Sequence, residues 1–225
     1  GRITPVAMKK AVLGLAVLAF LSGLVALFLA FFEAGLLLPA LLFLVLGVAA
    51  IAAAFRYTAG KSPYGYKGHG DAMVFLFFGW VGVLGTAALL SHQWNYDWLL
   101  PATWSGTMSV AVLNLNNMRD HASDAIAGKN TLVVRKGLTW AKRYHLILFA
   151  VGWCSWWLYA LVLHPGEWRG MGWIAVLNAV HLAHVFRVFN VSSPEEMDPE
   201  LKRVALSSAV AALFLLMAQT GLAVS

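Results

Sequence analysis

Asn116, Asp120 and Asp124 fall at successive i, i+4 positions in NLNNMRDHASDAIAGKNTLVVRKG, residues 114–137. Nothing in this stretch breaks a helix before Gly128, so the three side chains are predicted to line one helical face, with Cβ atoms about 5–6 Å apart. Two carboxylates that close raise each other's pKa unless a cation lies between them. Mg2+ suits the position, because it takes one or two carboxylates together with phosphate oxygens and keeps some of its waters. Arg119 precedes the first aspartate, and Lys129 and Arg135 follow the Gly128 turn, where they could neutralise phosphate oxygens outside the metal shell. A D-x-x-x-D spacing is common on soluble helices and carries little by itself. At the end of an apolar span it points to a diphosphate ligand that carries its own Mg2+.

The elements that must hold this face are membrane helices. The 225 residues are 60% hydrophobic and 12% charged, with a mean hydropathy of +0.74, outside the range of soluble domains. Seven stretches are long and apolar enough to span a bilayer: roughly 11–32, 36–55, 72–90, 98–118, 145–163, 171–189 and 204–224. The expected fold is therefore an all-α, polytopic transmembrane helix bundle. With the N-terminus in the cytoplasm, the cytoplasmic segments hold 15 of the 16 Lys and Arg residues and the other side holds only Arg169, as the positive-inside rule requires. The net charge of +6 thus marks topology and gives no nucleic-acid footprint.

Two connections share the cytoplasmic face. One is the motif itself; the other, FRYTAGKSPYGYKGHGD at 55–71, mixes five glycines and prolines with hydrogen-bond donors, which is turn chemistry. SSPEEMDPELKR, further on, reads as a solvated connector with a helix start capped by Ser193. Cys154 excludes an internal disulfide and reads as a small buried packing residue. His181 and His184 stand at i, i+3 without an evident carboxylate or third ligand, so interhelical hydrogen bonding is expected. His121 reads as a solvated boundary residue, with proton shuttling as the alternative. Trp94, Trp98, Trp104, Trp168 and Trp173 read as interface anchors. Gly79, Gly82 and Gly85 read as close-packing contacts between helices.

NNMRDHASDAIAGKNTLVVRKG resembles the second aspartate-rich motif of the UbiA superfamily of intramembrane prenyltransferases, and YTAGKSPYGYKGHGD resembles a loop of the branch that prenylates 1,4-dihydroxy-2-naphthoate. GRITPVAMKKA is similar to the segment that follows the first motif there, so the likeness runs the length of the chain. The resemblance implies a UbiA-type fold and Mg2+-dependent transfer of a polyprenyl group from a polyprenyl diphosphate, with decarboxylation to demethylmenaquinone. It gives Asp120 and Asp124 the metal role and makes Asn116 and Asn117 polar support. It assigns Lys61, Arg119 and Lys129 to diphosphate contact, with Arg135 nearby. Tyr57, in the Y-x-x-x-K pattern with Lys61, would orient a phosphate or shield the cation, and Asp71 would act near the aromatic substrate. The implied partners are these two substrates and the lipid bilayer, and the implied location is the bacterial inner membrane with the site towards the cytoplasm.

One feature of the family lacks a counterpart. Its first aspartate-rich motif, of N-D-x-x-D type, is missing, and no aspartate precedes Asp71. The family shows nine spans where seven are read here. Residues 1–225 are therefore expected to be a single membrane-embedded domain, truncated at its N-terminus and inactive alone. Two other readings are a 4-hydroxybenzoate or haem prenyltransferase of the same fold, which fits the 55–71 loop less well, and a transporter. A transporter would place its ionisable residues nearer the bilayer midplane and show paired repeats.

Overall fold

The computed structural model describes residues 3–32, 34–60, 62–163 and 171–219. Among these every regular element is helical: α1 (Pro5–Leu27), α2 (Leu37–Thr58), α3 (Gly70–Val74), α4 (Gly82–Ser91), α5 (Leu99–Ile126), α6 (Leu132–Lys136), α7 (Leu138–Leu158), α8 (Met171–Asn190) and α9 (Met197–Gln219). π-helical turns extend α1 over Phe28–Phe32 and α7 over Tyr159–Leu163, and another joins α3 to α4 over Phe75–Val81. Long helices run through the apolar stretches of the sequence as far as the residues are described. Four of them, Pro5–Phe32, Leu37–Thr58, Gly70–Ser91 and Leu138–Leu161, are long and apolar enough to cross a membrane by length and composition. The chain is a multi-pass helical membrane protein.

Two compact units form. The first comprises Gly1–Pro63 and Gly85–Trp94, the second Tyr64–Leu84 and Asn95–Ser225. In the first, Thr4 caps α1 by accepting from the Ala7 amide at 3.2 Å, and Pro5 supplies a preset first turn. α1 packs on α2. Phe31 is buried there, 5.2 Å from the Phe43 ring and 5.5 Å from His92.

The second unit is built around α5, which touches α3, α6, α7, α9 and the Phe75–Val81 turn. Small residues let the backbones approach. A Cβ on Gly79 would come within 2.7 Å of the Ala102 carbonyl and 2.8 Å of the Gly106 Cα, and one on Gly152 within 2.7 Å of Thr107 Oγ1. In lipid, where tails are as apolar as the helix surfaces, such packing holds helices together. The close-packing expectation for Gly79 is therefore met.

Length explains how α5 presents its polar end. At about 1.5 Å per residue its 28 residues make a rod of about 42 Å. Its last two turns carry Arg119, Asp120 and Asp124 beyond the apolar part of the helix.

Three expectations change. Trp104 is not an interface anchor: it is buried against Trp156, ring centroids 5.0 Å apart, because it falls on the packed face of α5. Cys154 is exposed, since α7 turns Leu148, Phe149, Gly152, Ser155 and Trp156 inward and leaves position 154 outside that stripe. The 192–203 connector is not simply solvated, because Met197, Glu200 and Val204 are buried at the start of α9. Ser193 does occupy the cap position of the turn before α9, but its side chain makes no capping hydrogen bond. Trp168 lies outside the described residues.

Candidate active site

The last two turns of α5 and the turn after them bring the motif together. Arg119 grips Asp120 with both arms of its fork, Nε donating to Oδ1 at 2.7 Å and Nη2 to Oδ2 at 2.9 Å. Those hydrogen bonds hold the Asp120 carboxyl below its usual range and raise the guanidinium pKa in return. Asp124, buried at the helix end, receives Lys129 Nζ at 3.1 and 3.3 Å. The chain reverses at Gly128, whose φ of 71° lies in the left-handed region that favours glycine. The two carboxylates one turn apart thus each have a cation of their own. Asn116 is half-buried and Asn117 buried one turn earlier on α5.

A second loop closes on this turn. The Asn130 amide donates to the Tyr66 carbonyl at 2.9 Å, tying residues 64–69 to residues 128–131. Gly68 lies so near that a Cβ there would meet the Asn130 carbonyl at 3.2 Å and the Arg135 guanidinium carbon at 3.4 Å. Arg135 is thereby held beside the loop that leads to Asp71. Asp71 lies in the first turn of α3, is buried, and faces the Tyr144 hydroxyl on α7. Among the described residues its Oδ1 has no hydrogen-bond partner. A buried carboxylate oxygen without a partner suits a ligand hydroxyl.

The structure therefore gathers Asp71, Asn117, Arg119, Asp120, Asp124, Lys129 and Arg135 into one unit. Tyr57 stands half-buried in the last turn of α2, in the other unit. Lys61 lies outside the described residues.

Three participants escaped the sequence reading. Asp198, on the first turn of α9, accepts from Arg119 Nη1 at 2.8 Å. Tyr144 partners Asp71. Asn114, buried on α5, donates to the Ala141 carbonyl at 3.0 Å. Each is recognisable only from a partner far along the chain; the four acids of the 192–203 connector on the motif's side were the one available signal for Asp198.

The histidines behave as interhelical glue, but with more company than expected. His184 Nε2 lies 2.9 Å from His145 Nε2, and His184 Nδ1 lies 2.5 Å from Glu200. His181 pairs with Ser207 at 2.9 Å. The carboxylate that the sequence did not reveal comes from α9. Glu200 also accepts from Arg187 at 2.9 Å and from Arg203. Burial pushes Glu200 up, yet its hydrogen bonds from Arg187 and His184 outweigh burial and hold it below the usual carboxylate range. His121 is half-buried, its Nδ1 3.2 Å from the Met118 carbonyl, at the edge of a cavity of about 580 Å³ that Thr139, Lys142 and Arg143 also line.

Among the described residues no three His, Cys, Asp or Glu side chains converge as a metal cage. Asp120 and Asp124 offer hard oxygens to a metal that brings most of its own ligands, which is how Mg2+ binds with phosphates.

The family described as UbiA prenyltransferase matches residues 1–208. Among curated proteins, the chain is 41% identical over 204 residues to a 1,4-dihydroxy-2-naphthoate octaprenyltransferase of Escherichia coli, covering 90% of this chain and 64% of that protein. It is 42% identical over 164 residues to the Haemophilus influenzae protein of the same name, covering 72% and 52%. A Mycobacterium tuberculosis protein, also so named, is 35% identical over 177 residues, covering 79% and 59%. The chain thus spans between 52% and 64% of the length of these relatives. No solved structure matches the chain.

Proposed function

This chain belongs to the UbiA prenyltransferase family, and from that membership we propose that its motif serves Mg2+-dependent transfer of a polyprenyl group from a polyprenyl diphosphate to 1,4-dihydroxy-2-naphthoate. Loss of the naphthoate carboxyl group would then give demethylmenaquinone. The observation that carries the reading is the set of two carboxylates and two cations, Asp120 with Arg119 and Asp124 with Lys129, at the protruding end of α5. The shared name of the relatives, 1,4-dihydroxy-2-naphthoate octaprenyltransferase, supports the choice of acceptor.

Asp120 and Asp124 would hold the metal, with Asn116 and Asn117 as polar support. Mg2+, when bound, would offset the negative charge of the diphosphate and make it a better leaving group. As ligand arrives, the carboxylates give up their present cations. Arg119 and Lys129 then turn to phosphate oxygens, with Lys61 and Arg135 as further contacts, so charge is exchanged within the site and not left unpaired. By the family resemblance alone, Tyr57 would orient a phosphate or shield the allylic cation. Asp71 accepts a hydroxyl of the aromatic ring on its open oxygen and so aims the ring at the cation.

Segments 64–69, 116–143 and 187–203 meet at one end of the second unit through the Asn130–Tyr66, Lys142–Val191 and Arg119–Asp198 contacts. The charge split supports a cytoplasmic position for that end, and the bacterial origin of the relatives supports the inner membrane.

Binding of an unreactive thiolo analogue of the prenyl diphosphate tests the reading. It should need Mg2+ and disappear in Asp120→Asn and Asp124→Asn. Equal binding without Mg2+ and in both variants would remove the metal role and the reading with it.

A further inference from the structure

Arg119 has a second carboxylate. While Nε and Nη2 grip Asp120, Nη1 donates to Asp198 at 2.8 Å, so the guanidinium bridges the end of α5 to the first turn of α9. The two contacts use different nitrogens and coexist. If Asp120 is to take a metal, the bond it must surrender is the one to Arg119.

We propose that Asp198 is a positioning residue for diphosphate capture: it keeps Arg119 in place when Asp120 turns to the ligand, leaving the Nε–Nη2 edge directed at the phosphate oxygens. This deepens the diphosphate reading and rests on it. The freed edge is a planar pair of donors, the geometry that matches two oxygens of a phosphate as well as it matches a carboxylate. Without Asp198 the same side chain would be released by Asp120 into solvent and would have to be ordered again by the ligand, at a cost in affinity.

The mount is fixed although the side chain is exposed. Two residues after Asp198, buried Glu200 is hydrogen-bonded to His184, Arg187 and Arg203, and Met197 and Val204 are buried on either side. Asp198 therefore projects from a backbone anchored in the bundle. The pair itself contributes little to folding, since the two side chains are 32% and 59% exposed and solvent screens such bridges. An acid at this position also favours the helix start, but Glu195, Glu196 and Glu200 already supply that charge.

The test is affinity for the thiolo diphosphate analogue with Mg2+, and separately for the naphthoate, in the protein expressed from its whole gene. Asp198→Asn is expected to weaken the analogue roughly tenfold, the order of one charge-assisted contact, to leave naphthoate binding unchanged, and to have no further effect in an Arg119→Gln background. Unchanged analogue affinity, a parallel loss of naphthoate affinity, or an equal loss in the Arg119→Gln background would each overturn the proposal. Asp124→Asn separates the two levels. If it abolishes analogue binding while Asp198→Asn does nothing, only the positioning role fails; if it too leaves binding intact, the diphosphate reading fails.

Discussion

Lys129 and Asp124 are joined twice, once through the backbone and once through their side chains. The Lys129 amide donates to the Asp124 carbonyl at 2.8 Å, and its Nζ lies 3.1 Å from Oδ2 of the same residue. The turn that carries the cation is thus built onto the helix end that carries the carboxylate, and neither can shift without the other. On the proposed reading Lys129 leaves Asp124 for a phosphate oxygen. Lys129→Gln should therefore raise the KM for the prenyl diphosphate roughly tenfold and change the KM for the aromatic acceptor much less. Steady-state kinetics with each substrate varied in turn checks this. An equal rise in both would show that the lysine serves the fold and not the diphosphate.

Glu200 sets the stability of the second unit. It is buried against His184, with the half-exposed Arg187 and Arg203 also bonded to it, and removing it leaves the buried His184 ring without its carboxylate acceptor. Glu200→Ala should lower the Tm in detergent clearly more than Asp198→Asn, whose salt bridge is exposed. Equal shifts for the two variants would contradict the difference in burial.

Much of this was legible in the sequence because it is local. Apolar runs mark helices without reference to any partner, and the i, i+4 spacing of Asn116, Asp120 and Asp124 needed only an unbroken helix, which α5 provides. Gly79 was legible for the same reason, as a small residue in an apolar run. Trp104, Glu200 and Asp198 were not. Whether a tryptophan packs inside or anchors at an interface depends on which stripe its helix buries, and an acid in a polar connector shows its partner only when another helix delivers one. The cations on Asp120 and Asp124 were legible as residues, but their present attachment to the carboxylates was not, because spacing does not reveal rotamers.

Topology is open to direct chemistry. Ser62 and Thr139 are both exposed and lie in the two loops that the charge split assigns to the cytoplasm. Single cysteines at these positions, in a Cys154→Ser background, should react with an impermeant maleimide only in inverted vesicles. Labelling from outside intact spheroplasts would reverse the orientation and move the proposed site to the other face.

The central claim is that the Asp120–Asp124 face serves prenyl transfer to dihydroxynaphthoate, and product formation measures it most directly. Membranes of a bacterial strain lacking its own enzyme, carrying the protein expressed from its whole gene, are supplied with polyprenyl diphosphate and 1,4-dihydroxy-2-naphthoate, and demethylmenaquinone is quantified. The account predicts product with Mg2+, none after chelation, and a loss of at least about 100-fold in Asp124→Asn at equal protein level in the membrane. Demethylmenaquinone formed at the wild-type rate by the Asp120→Asn, Asp124→Asn double variant, or none formed by the inserted wild-type protein with Mg2+ present, would contradict it.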